Sequence, residues 1–535
     1  MYNEDSIQVK TYVGKHECPR IWRENPNCKV AWLMKRYVDK FRLNPSMPIT
    51  TFMETVKEER MVEIHIKTAY RVRAQCLKII EGSHLDQYTK LWEYCDELRR
   101  TNPGSTVQMK VLPYDDAHVI FQRIYICLGA CKNGFKNGCR QLVGLDGCHL
   151  KGVFKGQLLS AVGMDANNQT WVIAYAIVEL ENKDRWVWFL ELLAADLGIV
   201  NQRAWTFISD KQKGLIPAFE KVLPNCNHRF CVRHLYTNYK ADGFKGKGLK
   251  DALWNAAKAT TIADFRESMV EVNRLNEKAY KWLEKRPALH WSRSHFDTHT
   301  QCDILLNNLC ESFNSFILRS RDKPIITMLE TIRVLLMKRI WLRRDAMRKD
   351  KRAICPKIQK KLEEYKLKSS HTVATWSGGE KFEVDEGRGN VFVVDLNGCT
   401  CSCRRWDLTG FLCIHGCSAI YYARRQPEEF VSSWYKKEKY FEAYENLIQP
   451  VQGMKFWEPS ENKCILPPTF KRQPGRPKKR RHREADENEF KLSKRWQKSV
   501  KCSVCKASGH NKARCPTIHP PPAVRKGRKS KKNKG

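Results

Sequence analysis

The chain has 535 residues with 96 Lys+Arg against 58 Asp+Glu, a net charge of +38, and 42% of its residues are hydrophobic. That apolar fraction excludes a wholly disordered chain and predicts several folded domains. So large a positive balance points to a polyanionic partner, and among those to nucleic acid first. Residues 471–535 alone carry 23 Lys+Arg and 4 Asp+Glu, so half of the excess charge sits in the last 65 positions.

No stretch approaches the roughly 20 apolar residues of a membrane span, and the opening MYNEDSIQVK lacks the apolar core of a signal peptide. The 22 cysteines are therefore expected as thiols or metal ligands in the nucleus or cytosol, not as a disulfide framework. Up to about residue 115, polar sequence with helical periodicity and little Gly predicts a helical module, with Lys57–Ile80 and Leu85–Arg99 as helices. Short apolar runs then read as strands at Gln141–Leu145, Gln157–Met164, Trp171–Glu179 and Trp205–Ser209, with the turn signal DANNQ between the second and third. A helix over Lys183–Leu197, closed by Gly198, precedes the last of them. This alternation predicts an α/β layer. Helical periodicity returns over 241–300 and continues in Leu305–Leu318 and Ile325–Arg348, and Phe382–Leu396 reads as a strand pair. Beyond about Pro459 the Pro- and Lys-rich composition suits a linker or disordered tail carrying one small knot.

The most specific spacing is C-x2-C-x4-H-x4-C at Cys502, Cys505, His510 and Cys515, where three thiolates and an imidazole can close a tetrahedron around zinc. Nearby Lys501, Lys506, Lys512 and Arg514 favour a single strand or phosphates, although such a knuckle can equally serve protein contacts. A second cluster pairs Cys401 and Cys403 with Cys413 and His415; ligands one residue apart suit a strand, whose alternate side chains share a face. Cys399 leaves the register open, since Cys399 with Cys401 is also a C-x-C pair. The arrangement resembles the SWIM zinc finger, and the nearness of Arg404, Arg405 and Trp406 to the second Cys favours Cys401 and Cys403. Gly475, Arg476 and Pro477, followed by Lys478 and Lys479, resemble an AT-hook, whose Arg enters the narrow minor groove of A/T tracts. The same basic run also satisfies a nuclear-import pattern.

Asp146 ends the apolar run LVGLDG and Asp210 ends TFISDKQKG, so two carboxylates can face each other across neighbouring strands and hold divalent metals. An Asp in such a place more often caps a turn. On a helix through Leu305–Leu318, Asn307, Glu311 and Asn314 share the polar face, which suits either water or the edge of a metal cleft. Cys226, His228, Cys231 and His234 lie close enough for a metal, though a packed structural role fits that tight spacing better.

These segments together resemble a plant Mutator-like element transposase of the MuDR class. The resemblance is carried by LDGCHLKG, NKDRWVWFLELL, ISDKQKGL, HRFCVRHLYTN, NNLCESFN, the SWIM-like cluster, PGRPKK and the terminal knuckle, in one order across roughly residues 45–517. It implies an RNase H-like core, a mixed sheet with flanking helices, interrupted by a helical insertion, with small zinc modules and a disordered basic tail. The implied domains are a truncated WRKY-like finger remnant at 1–45 and a helical DNA-binding-type module at 46–115. The core follows in two parts, 138–240 and 301–350, around the insertion at 241–300. After these come a SWIM finger at 380–420, an AT-hook-like linker at 459–499, a knuckle at 500–517 and a basic tail at 518–535.

The implied site is a D-D-E triad of Asp146, Asp210 and Glu311, with Cys231 and His234 as a C-x2-H motif bracing it. The implied reaction uses two Mg or Mn ions to free a DNA 3′-OH, which then attacks target DNA in line. Two structural zinc ions, double-stranded DNA, single strands at the knuckle, a homo-oligomer, a nuclear location and no membrane complete the expectation. At the N-terminus VGKHEC supplies His16 and Cys18 but no upstream cysteine pair, so this finger is not expected to close. Two rival readings are a catalytically inactive, host-adopted transcription regulator and an RNA-binding knuckle protein.

Overall fold

In a computed structural model the apolar runs between residues 140 and 230 become the middle of a mixed eight-stranded sheet. The structure describes residues 28–468 apart from 45–46, 81–83 and 153, together with residues 11, 12, 14 and 505. His16, Cys18, the AT-hook-like Gly475–Lys479 and the knuckle positions Cys502, His510 and Cys515 lie outside the described residues.

The strands in chain order are β1 (Thr106–Pro113), β2 (His118–Cys127), β3 (Leu142–His149), β4 (Gln157–Met164), β5 (Thr170–Val178), β6 (Thr206–Ser209) and β7 (Asn227–Phe230). They lie side by side as β1-β2-β5-β4-β3-β6-β7. The β1 to β5 neighbours are antiparallel, β4 pairs antiparallel with β3, and β6 and β7 run parallel to β3. A second sheet holds β8 (Val373–Gly378), β9 (Lys381–Asp385), β10 (Val391–Asp395) and β11 (Thr400–Cys401), while β12 (Cys464–Leu466) returns to pair with β2. Strand β5 is buried at every position, which is why it reads as an unbroken apolar run.

The expected helix Lys183–Leu197 is observed with those bounds: Asn182 accepts the Arg185 N–H at its start and Gly198 turns left-handed (φ 65°) at its end. The expected single helix Lys57–Ile80 is instead two, Ile49–Arg60 and Ile66–Ile80, because Met61 adopts φ 55° and ends the first. Between them Val62 and Ile64 are buried while their neighbours are exposed, the alternation of extended chain. Residues 106–113 are strand β1, so the span up to 115 is not helical throughout.

Four apolar clusters result among the described residues, the smallest being Leu142, Met164 and Cys302. The first wraps the large sheet and continues into the Cys401–Cys413 cluster. The second lies inside the helices between β7 and Asn308, and the third joins the helices Val30–Leu43, Ile49–Arg60 and Ile66–Ile80. Leu408, fully buried, belongs to the second core although it lies in the cysteine-rich segment. Beside it the Arg404 guanidinium donates to the carbonyls of Thr260, Arg293, Ser294 and Phe296. One partly buried cation thereby fastens that segment to the helical core.

Candidate functional site

Strands β3 and β6 pair in parallel with Leu142 opposite Thr206 and Gly144 opposite Ile208. Asp146 follows two residues later on β3 and Asp210 comes directly after β6, so the two carboxylates leave neighbouring parallel strands at the same end. Burial pushes the Asp146 carboxyl up to about 7, and the charge of Asp210 adds to the push. Asp210 is raised too, by burial, against the attraction of His234.

The helix Asn308–Phe316 lies across this edge because β3 carries glycine where it passes. A Cβ at Gly144 would sit 2.8 Å from Asn307 Oδ1 and 3.1 Å from Cys310 Sγ. Asn307 Nδ2 donates to the Leu145 carbonyl at 2.9 Å, and Asn314 Nδ2 donates to Asp146 Oδ2 at 2.6 Å. Asn307 and Asn314 of this polar face therefore meet β3 rather than water. Asn314 Oδ1 is buried without a partner, an acceptor left over beside a carboxylate.

Glu311, on the same face, is committed elsewhere. Both of its oxygens accept from Arg233 Nη1, at 2.8 and 3.0 Å. Its carboxylate does not join those of Asp146 and Asp210 in a set close enough to share one ion, since among the described residues only one such set occurs, formed by Cys and His. An acid whose charge interacts with both Asp146 and Asp210, though it forms no such set with them either, is Glu181, just beyond β5. A Cβ at Gly147 would meet its carboxylate at 2.9 Å, so the glycine beside Asp146 makes room for it. Trp186 Nε1 donates to Glu181 at 3.2 Å, and burial, with Asp210 adding, raises its carboxyl. Neither Glu181 nor Arg233 was singled out from sequence; the available signal for Glu181 was an acid directly after a buried strand and before the Asn182 cap.

Cys231 connects the parts. Its N–H donates to the Ser209 carbonyl at 2.8 Å, and its Sγ accepts the Asn307 N–H at 3.4 Å, which ties the end of β6 to the start of the Glu311 helix. Burial opposes ionisation of Cys231, yet hydrogen bonding from His234 and Asn307 brings the thiol below its ordinary range. The hydrogen bond to Cys231, aided by Asp210 and Asp146, raises His234. Cys226 and His228 do not join them in a metal cluster: His228 pairs with Ser209 Oγ at 2.8 Å and stacks on Phe219. Beside His234 a cavity of about 250 Å³ is bordered by Lys211, Lys285 and Arg286 together with Phe230 and Trp291.

The second site is the cysteine-rich cluster. Cys401, Cys403, Cys413 and His415 are all buried, and their ligand atoms lie within 4.8 Å of one another. Cys399 is exposed and turned away, its Sγ donating to the Leu396 carbonyl at 3.6 Å, which resolves the register in favour of Cys401 and Cys403. His415 Nδ1 faces Cys401 Sγ at 3.5 Å; Nε2 lies 3.4 Å from Glu386, and the ring stacks on Phe392. Three thiolates, one imidazole and a carboxylate behind the imidazole form the donor set of a closed structural zinc site.

The model of the MULE transposase domain matches residues 142–238, and that of the SWIM zinc finger matches residues 390–424. The chain carries a MULE transposase domain and a SWIM zinc finger, a combination that supports a Mutator-like transposase family. No curated protein matches it. The MULE segment contains Asp146, Glu181, Asp210, Cys231 and His234 and ends before Glu311, while the SWIM segment holds the four clustered ligands. No helix among the described residues is long and apolar enough to cross a membrane.

Proposed function

We propose that this Mutator-like protein is a nuclear, DNA-binding transposase that cuts and joins double-stranded DNA by two-metal D-D-E chemistry. The observation that carries the reading is the placement of Asp146 near the end of β3 and of Asp210 directly after its parallel neighbour β6, close enough that the charge of one acts on the other, inside the MULE domain. The strand order β5-β4-β3-β6-β7, antiparallel and then parallel, supports an RNase H-like core, with the helices between β7 and Asn308 as its insertion.

The donors fit a hard divalent cation: oxygens only, two of them carboxylates drawn together in a half-buried cleft, with an orphaned amide oxygen beside them. Mg or Mn held there supplies polarisation of the phosphodiester and acidification of bound water. Asp146 and Asp210 would hold the ion, and Asn314 would fix the rotation of the Asp146 carboxylate. Cys231 and His234 would set the helix that presents Glu311. Arg233 must release Glu311 for the triad to close. Both side chains of that pair are about one-third exposed (33% and 37%), so the pair is worth roughly 0–1 kcal/mol and a cation can displace it. The cationic rim of Lys211, Lys285 and Arg286 suits the DNA backbone.

Purified full-length protein is expected to nick duplex DNA with Mg or Mn, and Asp146→Asn is expected to abolish this. Equal cleavage by both proteins removes the reading. The Arg233–Glu311 pair favours a second reading, a host-adopted regulator that binds DNA without chemistry. That reading requires DNA binding by wild type and Asp146→Asn alike, with cleavage by neither.

A further inference from the structure

Away from the carboxylates, four elements distant in sequence close around a cavity of about 200 Å³. Lys258 ends the helix Lys247–Lys258, Arg293 opens the turn Arg293–His295, Lys361 projects from the helix Pro356–Ser369, and Arg405 begins the short SWIM helix Arg405–Thr409. Asp303 is the one acidic residue lining it, and Arg293 already takes that carboxylate at 2.9 Å.

Lys361 is left with ring faces: its Nζ lies 4.8 Å from the Phe411 centroid and 5.3 Å from that of Tyr365. Among the described residues it has neither an ion pair nor a hydrogen bond, and Lys258 has only the face of Trp254. Burial outweighs the attraction of Asp303 and, with repulsion from Arg293, Arg140 and Arg405, lowers Lys361 from its ordinary range. A half-buried ammonium without an acceptor is costly, and in a cavity ringed by four cations the attraction of the one committed acid and the two ring faces offsets only part of that cost. An entering anion would. A phosphate group brings several acceptor oxygens, and Arg405 with a partly buried Lys is the pairing such oxygens attract.

We propose that this cavity binds a phosphate group between Lys361, Arg405 and Lys258, at the junction of the SWIM finger with the helical core, and that the group is a backbone phosphate when the protein sits on DNA. The site is independent of the carboxylate chemistry and stands or falls separately from it.

The test uses full-length, zinc-loaded protein. Inorganic phosphate is exchanged for chloride at constant ionic strength while thermal unfolding is followed, and duplex DNA affinity is measured against salt. Wild type is expected to melt higher in phosphate. Lys361→Met, which keeps the packing on Phe411, is expected to lose that shift without losing stability in chloride, and exposed Arg405→Gln is expected to weaken it. For DNA, each variant is expected to flatten the plot of log affinity against log salt by about one unit. Loss of the phosphate shift with an unchanged DNA slope supports the site and assigns it to free phosphate. An equal phosphate shift in wild type and both variants overturns the proposal, as does the absence of any shift together with unchanged slopes. If Lys361→Met fails to fold, Arg405→Gln carries the same comparison.

Discussion

At Asp146 a buried carboxyl and pH are linked with a definite sign. Its folded value is raised from the ordinary 3.8 to about 7, chiefly by burial. The folded protein therefore binds this proton more tightly than the unfolded chain, so stability is gained as pH falls through that window and lost as it rises. Asp146→Asn removes the cost of ionisation and is expected to stabilise the metal-free protein at pH 8 by about 1–4 kcal/mol. The gain should shrink toward pH 4, and chemical denaturation at several pH values measures it. A gain that does not depend on pH would show that ionisation is not its source. Arg233 offers an independent test at the same scale. Arg233→Gln is expected to cost less than about 1 kcal/mol because the pair is partly exposed. By freeing Glu311 it should also tighten Mn binding in calorimetry, whereas Glu311→Gln in that background should cancel the gain. Unchanged Mn affinity in Arg233→Gln would mean that Glu311 does not reach the ion when released.

The SWIM finger acts as an element that is locked from two sides. Its ligands close one side, while Arg404 and Leu408 plug into the helical core on the other. Glu386→Ala is expected to reduce zinc affinity by about 10–100-fold, since the carboxylate orients His415 from behind. Stripping zinc should raise amide exchange in the SWIM segment and also in the helix Lys247–Lys258, because Arg404 and Leu408 lose their fixed platform. Exchange confined to residues 390–424 would show that the two elements are not coupled. How much of this was legible in sequence follows the range of the forces involved. The helix Lys183–Leu197 was readable because its cap and its glycine stop lie within the element. Strands β3 to β6 were readable as apolar runs, and alternation in a strand explains why Cys401 and Cys403 share a metal. Strand β7 was not, since NHRF carries almost no apolar signal and owes its pairing to β6. The Met61 break was hidden inside continuous helical periodicity. Glu311 was readable as a polar-face residue, but its partner lies 78 residues away and only the tertiary fold names it. Glu181 was missed for the same reason, because the space it enters exists only where Gly147 has no side chain.

On the scale of the whole molecule, the charge separates by segment. The chain divides into two units, Met1–Phe470 and Lys471–Gly535, and the smaller one holds 23 of the 96 basic side chains with only 4 acids. Half of the net +38 is thus carried by about an eighth of the length. If DNA is the partner, each phosphate neutralised releases counterions, and log affinity falls with log salt at a slope of about −0.9 per phosphate. A unit so rich in Lys and Arg, with few acids to compete, is expected to supply several of those contacts. Removal of residues 471–535 should therefore flatten the slope by about 4 or more and weaken binding far more at low salt than at high salt. The Lys361 and Arg405 substitutions, confined to one phosphate, should each change it by about one. Fluorescence anisotropy with one duplex over a salt series, comparing the full chain, the 1–470 chain and Lys361→Met, resolves these contributions. Identical slopes for the full and shortened chains would place the phosphate contacts entirely in Met1–Phe470 and leave the basic tail without a part in DNA affinity.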